Sequence, residues 1–242
     1  MRFVAAAFLL STSLALGQTA IPAGTVLPVG LNSSLNSRKS AAGKIVTARI
    51  MQDVPLAGGT KIHAGSKVVG RVLTVQPATK GQAAEIAFEF DHVRFAHSDV
   101  PIHANLRALA SLMDVEGAQT PTTGPDRGTP SNWITRNLVG GEVAYGDGGP
   151  VARGTDIVGT ALADGVLVPV SANVHAGCRG EISDKHRQQA LWVFSSDACG
   201  IYGYPDVLIA HSGRTEPSGN IRLTSPKDFI IRSGSGMLLR VN

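Results

Sequence analysis

Aromatic side chains make up 5% of this 242-residue chain, and there are two cysteines. A core cannot rest on packed rings, so it must be assembled from Val, Ile, Leu and Ala. Two thiols also exclude a disulfide-dense scaffold. No Lys/Arg run exceeds Arg38-Lys39, and the formal charge is +4, or +3 without Arg2. Nucleic-acid binding is therefore not expected, because it needs basic side chains massed on one face. After the N-terminus no apolar run reaches the ~18–20 residues of a membrane-spanning helix.

Catalytic signatures are missing too. There is no Gly-x-Ser-x-Gly elbow, and Ser233-Gly234-Ser235-Gly236 is out of frame ahead of a final strand. Gly146-Asp147-Gly148-Gly149 lacks the Lys-Ser/Thr and helix of a phosphate loop and reads as a hairpin turn. Glu85, Glu89 and Asp91 fall on alternating strand positions and read as a solvated face. No catalytic residue and no cofactor are assigned.

What is abundant is punctuation, with 28 Gly and 13 Pro. Glycine supplies positive φ and proline fixes φ at turn entries, a balance suited to many short strands. A rhythm repeats in IPAGTVLPVGL and KIHAGSKVVGRVLTV, with looser echoes in PVARGTDIVGTAL and IIRSGSGMLLRV. In each, an apolar stretch meets a Gly-Thr or Gly-Ser pair and resumes as β-type text.

The first residues read as a secretory signal. Arg2 is the positive region, Phe3–Leu16 the apolar region, and Ala15-Leu16-Gly17 the small-residue site, placing cleavage before Gln18. At about 14 residues the segment is too short to span a bilayer. An oxidising destination then makes Cys178–Cys199 a disulfide, closing a loop of about 20 residues worth on the order of 3 kcal/mol. The alternative, a metal site with His175 and His186, lacks close C-x-x-C spacing.

Along the chain, Lys44–Val54 carries apolar residues on both faces and is expected to be a strand covered on both sides. Ala84–Phe95 is the strongest strand. Its apolar parity switches near Asp91-His92, which predicts a β-bulge. His97-Ser98-Asp99 reads as a hairpin turn, and Asn105–Met113 as a short helix or, by context, a further strand. Composition then changes: residues 115–131 are Gly/Pro/Thr-rich and read as a linker.

Residues 21–112, with Lys227–Val241 as closing strands, resemble the C-terminal barrel of the TrbI-type conjugal transfer proteins of type IV secretion outer-membrane cores. The resemblance rests on Ile21-Pro22-Ala23-Gly24-Thr25, Gly43-Lys44-Ile45-Val46-Thr47-Ala48, the Gln52-Asp53-Val54 step, and Ile62-His63-Ala64-Gly65-Ser66-Lys67-Val68-Val69-Gly70. Phe90-Asp91-His92-Val93 and Val100-Pro101-Ile102 complete it. The chain departs from the family in lacking its membrane anchor and Pro-rich arm. The resemblance implies a barrel-like body rather than a pore.

The expected fold is mainly β, a barrel-like or sandwich body with an inserted, disulfide-stapled β sub-domain. Its parts are a signal (1–17), a β-barrel-like part (18–114), a linker (115–131), the insert (132–212) and closing strands (213–242). Two binding or metal constellations are candidates. Trp133, Trp192, Tyr202 and Tyr204 would offer an aromatic platform for glycan or peptide, or else form the insert's core. His92, His97 and His103 surround one hairpin and could meet at zinc, but no metal is assigned, since exposed or hydrogen-bonded structural histidines are the preferred reading.

The functional expectation is an exported, non-catalytic envelope scaffold or interaction protein in the periplasm or at the outer-membrane periphery, or else extracellular. Its partners would be envelope proteins or peptidoglycan-associated components, and an oligomer is compatible with this. An envelope glycan- or peptide-binding module is the alternative. A secreted hydrolase or metalloenzyme is the second.

Overall fold

The computed structural model describes residues 20–95, 98–122, 134–146, 148–162, 164–169, 188–209 and 219–242. The signal-like segment thus lies outside the described residues. The protein is mainly β, with strands numbered along the chain. The large sheet runs β16 (Gly200–Tyr202), β9 (Ala104–Ala110), β20 (Gly236–Val241), β1 (Val26–Leu31) and β3 (Ile45–Ile50). It continues through β6 (Lys67–Gln76), β7 (Ala84–Phe95), β18 (Ile221–Ser225) and β17 (Leu208–Ile209), with β8 (Ser98–Pro101) beside β7. A second sheet is an antiparallel meander: β10 (Thr135–Asn137), β11 (Val143–Tyr145), β12 (Pro150–Arg153), β13 (Asp156–Leu162), β14 (Gly165–Pro169) and β15 (Gln188–Ala190). Two ribbons complete the set, β2 (Leu35–Asn36) with β19 (Ile230–Ile231) and β4 (Val54–Pro55) with β5 (Lys61–Ile62).

The two ends of the large sheet, β16 and β17, are five residues apart in the chain, so the sheet must curl to bring them near each other. Inside the curl lies the main core, with Leu27, Val46, Ile50, Val68, Phe88, Phe90, Leu109, Leu223 and Leu239 all buried. Each such side chain contributes on the order of 1.5–3 kcal/mol on leaving water. The hydrogen-bonded path does not close, so the body is sandwich-like rather than a closed barrel among the described residues.

The second sheet packs against the outside of β1, β9 and β20. Their residues consequently divide between two cores: Leu27, Leu109 and Leu239 face the main one, while Val26, Ala108 and Leu238 face a second with Val151, Val166, Leu191 and Phe194. All six residues of β1 are buried. A strand covered on both faces reads as a continuous apolar run, which is why VLPVGL and MLLRV lack alternation. The two-sided covering expected, at least in part, for Lys44–Val54 is missing over β3 itself, although Met51 just beyond it packs on the second core. Ile45 is 58% exposed and Arg49 faces solvent, because no second layer lies over β3.

The phase change at Asp91-His92 is a register break. His92 pairs with Val69 and Phe90 with Gly70, leaving Asp91 over. Gly70 is required at this bulge, since a Cβ there would stand 1.8 Å from the Glu89 carbonyl oxygen. Ser98 and Asp99, expected in a turn, instead belong to β8 and pair with Phe95 and Arg94.

The strand expected through Met113 ends at Ala110. Helix α1 (Leu112–Gln119) follows, so the first part of the expected linker is helical. Ser111 caps it by accepting from Asp114 N–H at 3.2 Å, with the Asp114 charge in the positive first turn. The expected insert also divides. Residues 135–190 supply the second sheet, whereas β16 and β17 join the large one.

Candidate binding cleft

Residues 191–199 form the hinge piece between body and second sheet, and buried polar groups hold them. Arg107 of β9 donates from Nε to the Ala198 carbonyl and from Nη2 to the Ser196 carbonyl, both at 2.9 Å. Glu142 is 1% exposed; its Oε2 accepts from Ser196 N–H at 2.7 Å and its Oε1 from Arg153 Nη2 at 2.9 Å. Ser196 Oγ donates to Glu142 Oε1 as well. A buried carboxylate is tolerable only when paired and hydrogen-bonded in this way.

Trp192 is held in an unusual conformation, with φ at +52°. For a bulky side chain this left-handed backbone costs roughly 1–3 kcal/mol and persists only where its surroundings enforce it. Here the enforcement comes from Gln52, whose Oε1 accepts the Trp192 N–H at 2.6 Å. Gly165 makes room for it: a Cβ at Gly165 would lie 2.7 Å from the Trp192 Cα and 2.9 Å from Gln52. Gln189 adds a weaker link at 3.4 Å, accepting from Val26 N–H.

Beside this joint lies a cleft of about 480 Å³. Its floor is the inner face of the second sheet. Arg136 and Ala144 are cross-strand partners, as are Ala161 and Val166, and partners share a face. Met51 and Ala64 of the body, Ala118 and Gln119 of α1, and Trp192 and Val193 complete the walls. The rim at Ala64 is fastened by Asp53, whose Oδ1 accepts the Ala64 N–H at 2.8 Å. Lys61 Nζ lies 2.5 Å from the other carboxylate oxygen. The Lys61 hydrogen bond first, then the Ala64 N–H, hold the Asp53 carboxyl below its ordinary 3.8.

Two charged residues line the cleft, Arg136 and Asp164. Neither is in an ion pair among the described residues, and the Arg136 Nε is buried with no hydrogen-bond partner there. A carboxylate, a phenol (Tyr145) and a guanidinium in a mixed polar and apolar lining can hold a ligand. They do not form a nucleophile–base pair.

Of the aromatic candidates, three lie among the described residues, and they sit in two different packing environments. Trp192 is 5% exposed and joins the second core with Tyr202. Tyr202 Oη accepts from Cys199 N–H at 3.0 Å, and Tyr204 packs on the main core with its hydroxyl 2.7 Å from Ser235 Oγ. Trp133 lies outside the described residues. Of the histidines, His92 Nδ1 is hydrogen-bonded to Asp91 Oδ1, His103 is exposed, and His97 lies outside the described residues. No group of three His, Cys, Asp or Glu converges on a cation-sized point among the described residues. Cys199 is not free, and Cys178 lies outside the described residues.

Gln52, Arg136 and Asp164 are the site residues that sequence reasoning passed over. Gln52 stood inside the quoted Gln52-Asp53-Val54 step, where a buried amide breaking a β run was a usable signal. Nothing local distinguishes Arg136 or Asp164. No helix among the described residues is long and apolar enough to cross a membrane. No protein-family model matches the chain, and no curated protein matches it.

Proposed function

We propose that this chain is an exported, non-catalytic interaction protein of the cell envelope, working in the periplasm or at the outer-membrane periphery. The observation that carries the reading is the cleft: a preformed concavity beside a strained, clamped Trp192, with a charge of each sign and, among the described residues, no ion pair or nucleophile–base pair in its lining. Its partners are envelope proteins or peptidoglycan-associated components. The resemblance of residues 21–112 to TrbI-type barrels supports a scaffold of that kind at the level of fold. The same proposal includes removal of residues 1–17 and a Cys178–Cys199 disulfide in the mature chain.

The test is a crosslinked pull-down of the tagged protein from its native envelope, read by mass spectrometry without reduction. Stoichiometric recovery of other envelope proteins is expected, with the tagged chain starting at Gln18 and its two cysteines joined. Recovery of the chain alone overturns the scaffold reading. The second reading, a glycan- or peptide-binding module, is favoured by Arg136 and Asp164, which form no ion pair among the described residues.

A further inference from the structure

We infer that the cleft receives a short, unblocked peptide in extended form, its terminal carboxylate on Arg136 and its terminal ammonium on Asp164. This rests on the binding reading of the same cleft.

Three features carry it. First, the cleft holds one charge of each sign, and neither is neutralised by a neighbour among the described residues. Arg136 is half-buried, so its guanidinium is not wholly withdrawn from an incoming acceptor. A planar guanidinium matches a carboxylate in bidentate fashion, and such charge-assisted bonds are about twice as strong as neutral ones.

Second, the two charges are set apart. Arg136 is on the edge strand β10, and Asp164 is in the turn between β13 and β14. Three strand steps at about 4.8 Å set their backbones up to ~14 Å apart across the sheet. Extended chain advances at most ~3.3–3.6 Å per residue, so a short peptide of a few residues can bridge the two.

Third, Met51, Leu138, Val166 and Val193 contribute apolar surface to a mixed polar and apolar lining. That suits peptide side chains. A neutral sugar would ask for exposed rings, whereas Trp192 is buried. The cleft volume of about 480 Å³ falls within the ~300–1,000 Å³ of ligand sites.

The experiment is calorimetric titration of the full-length mature protein with alanine/leucine peptides of two and five residues. Each peptide is supplied unblocked, C-amidated and N-acetylated. The unblocked pentapeptide is expected to bind at least about tenfold more tightly than its amidated form, and the dipeptide more weakly than either. R136Q abolishes the discrimination against amidation, and D164N that against acetylation. Binding indifferent to terminal blocking overturns the inference, and so does no binding by any peptide. The blocked-against-unblocked comparison is read on the unaltered protein, so it stands even if a variant fails to fold. The pull-down decides separately whether the chain is an interaction protein, so a failed titration beside a successful pull-down removes the peptide and leaves the scaffold.

Discussion

The body and the second sheet are made by different means. In the body, long strands curl around one apolar cluster in which Phe88 and Phe90 meet edge to face, their centroids 5.8 Å apart. In the second sheet most strands are three to five residues long. Its own core is completed by residues borrowed from β1, β9 and β20. Short strands bury little surface per residue, so the layer also relies on the 191–199 segment, which Gln52 and Arg107 fasten to the body and Glu142 to the second sheet. Apolar burial tolerates small shifts, while hydrogen bonds with one geometry do not. The difference teaches that the body supplies stability and the polar joint supplies the position of the cleft.

The sharpest break of this contrast is Phe88→Ala. It removes a fully buried ring from the main core and is expected to lower global stability by about 3–5 kcal/mol. Urea denaturation measures it, and a loss under about 1 kcal/mol would mean the body is not organised around this cluster.

Arg107→Met comes next. It leaves the Ser196 and Ala198 carbonyls without their donor, an effect of about 1–3 kcal/mol. Amide hydrogen exchange is expected to quicken in residues 191–199 and leave β6 and β7 unchanged. Uniform acceleration through both sheets would show that the joint and the body are one cooperative unit.

The smallest effect is electrostatic. The Asp53, Asp99 and Asp228 carboxyls are all held below their ordinary 3.8, mainly by Lys61, Arg94 and the Ala78 N–H respectively. A carboxyl lowered in the folded state stabilises it above the unfolded value, and that contribution disappears as pH falls through the folded one. The melting temperature is therefore expected to drop slightly more steeply below pH ~3.8 in the wild type than in Asp53→Asn. Parallel curves would show that the Asp53–Lys61 contact adds nothing.

Much of the body was legible from its residues. Period-two alternation marked Ala84–Phe95 as a strand, the parity switch placed the bulge, and Gly-Ser and Gly-Thr pairs marked turns at Gly24 and Gly65, both at positive φ. Helix α1 was not read because LMDVEGAQ buries only Val115 and Ala118 and includes a glycine. Its Ser111-x-x-Asp114 start was the signal available. The cleft was illegible for another reason: its lining comes from near residues 51, 64, 118, 136–146, 161–166 and 192, which no local pattern connects.

Composition and periodicity by themselves determined a mainly β, turn-rich chain with an aliphatic core. They did so because side-chain alternation reports directly whether a strand's face is buried. Only the tertiary structure decided what lies against each face: that β1, β9 and β20, not β3, are covered twice, and that Arg136 and Asp164 share one cavity. Burial is a property of a residue and leaves its mark locally. The identity of the neighbour is a property of the whole chain's path, and it is written in no single stretch of it.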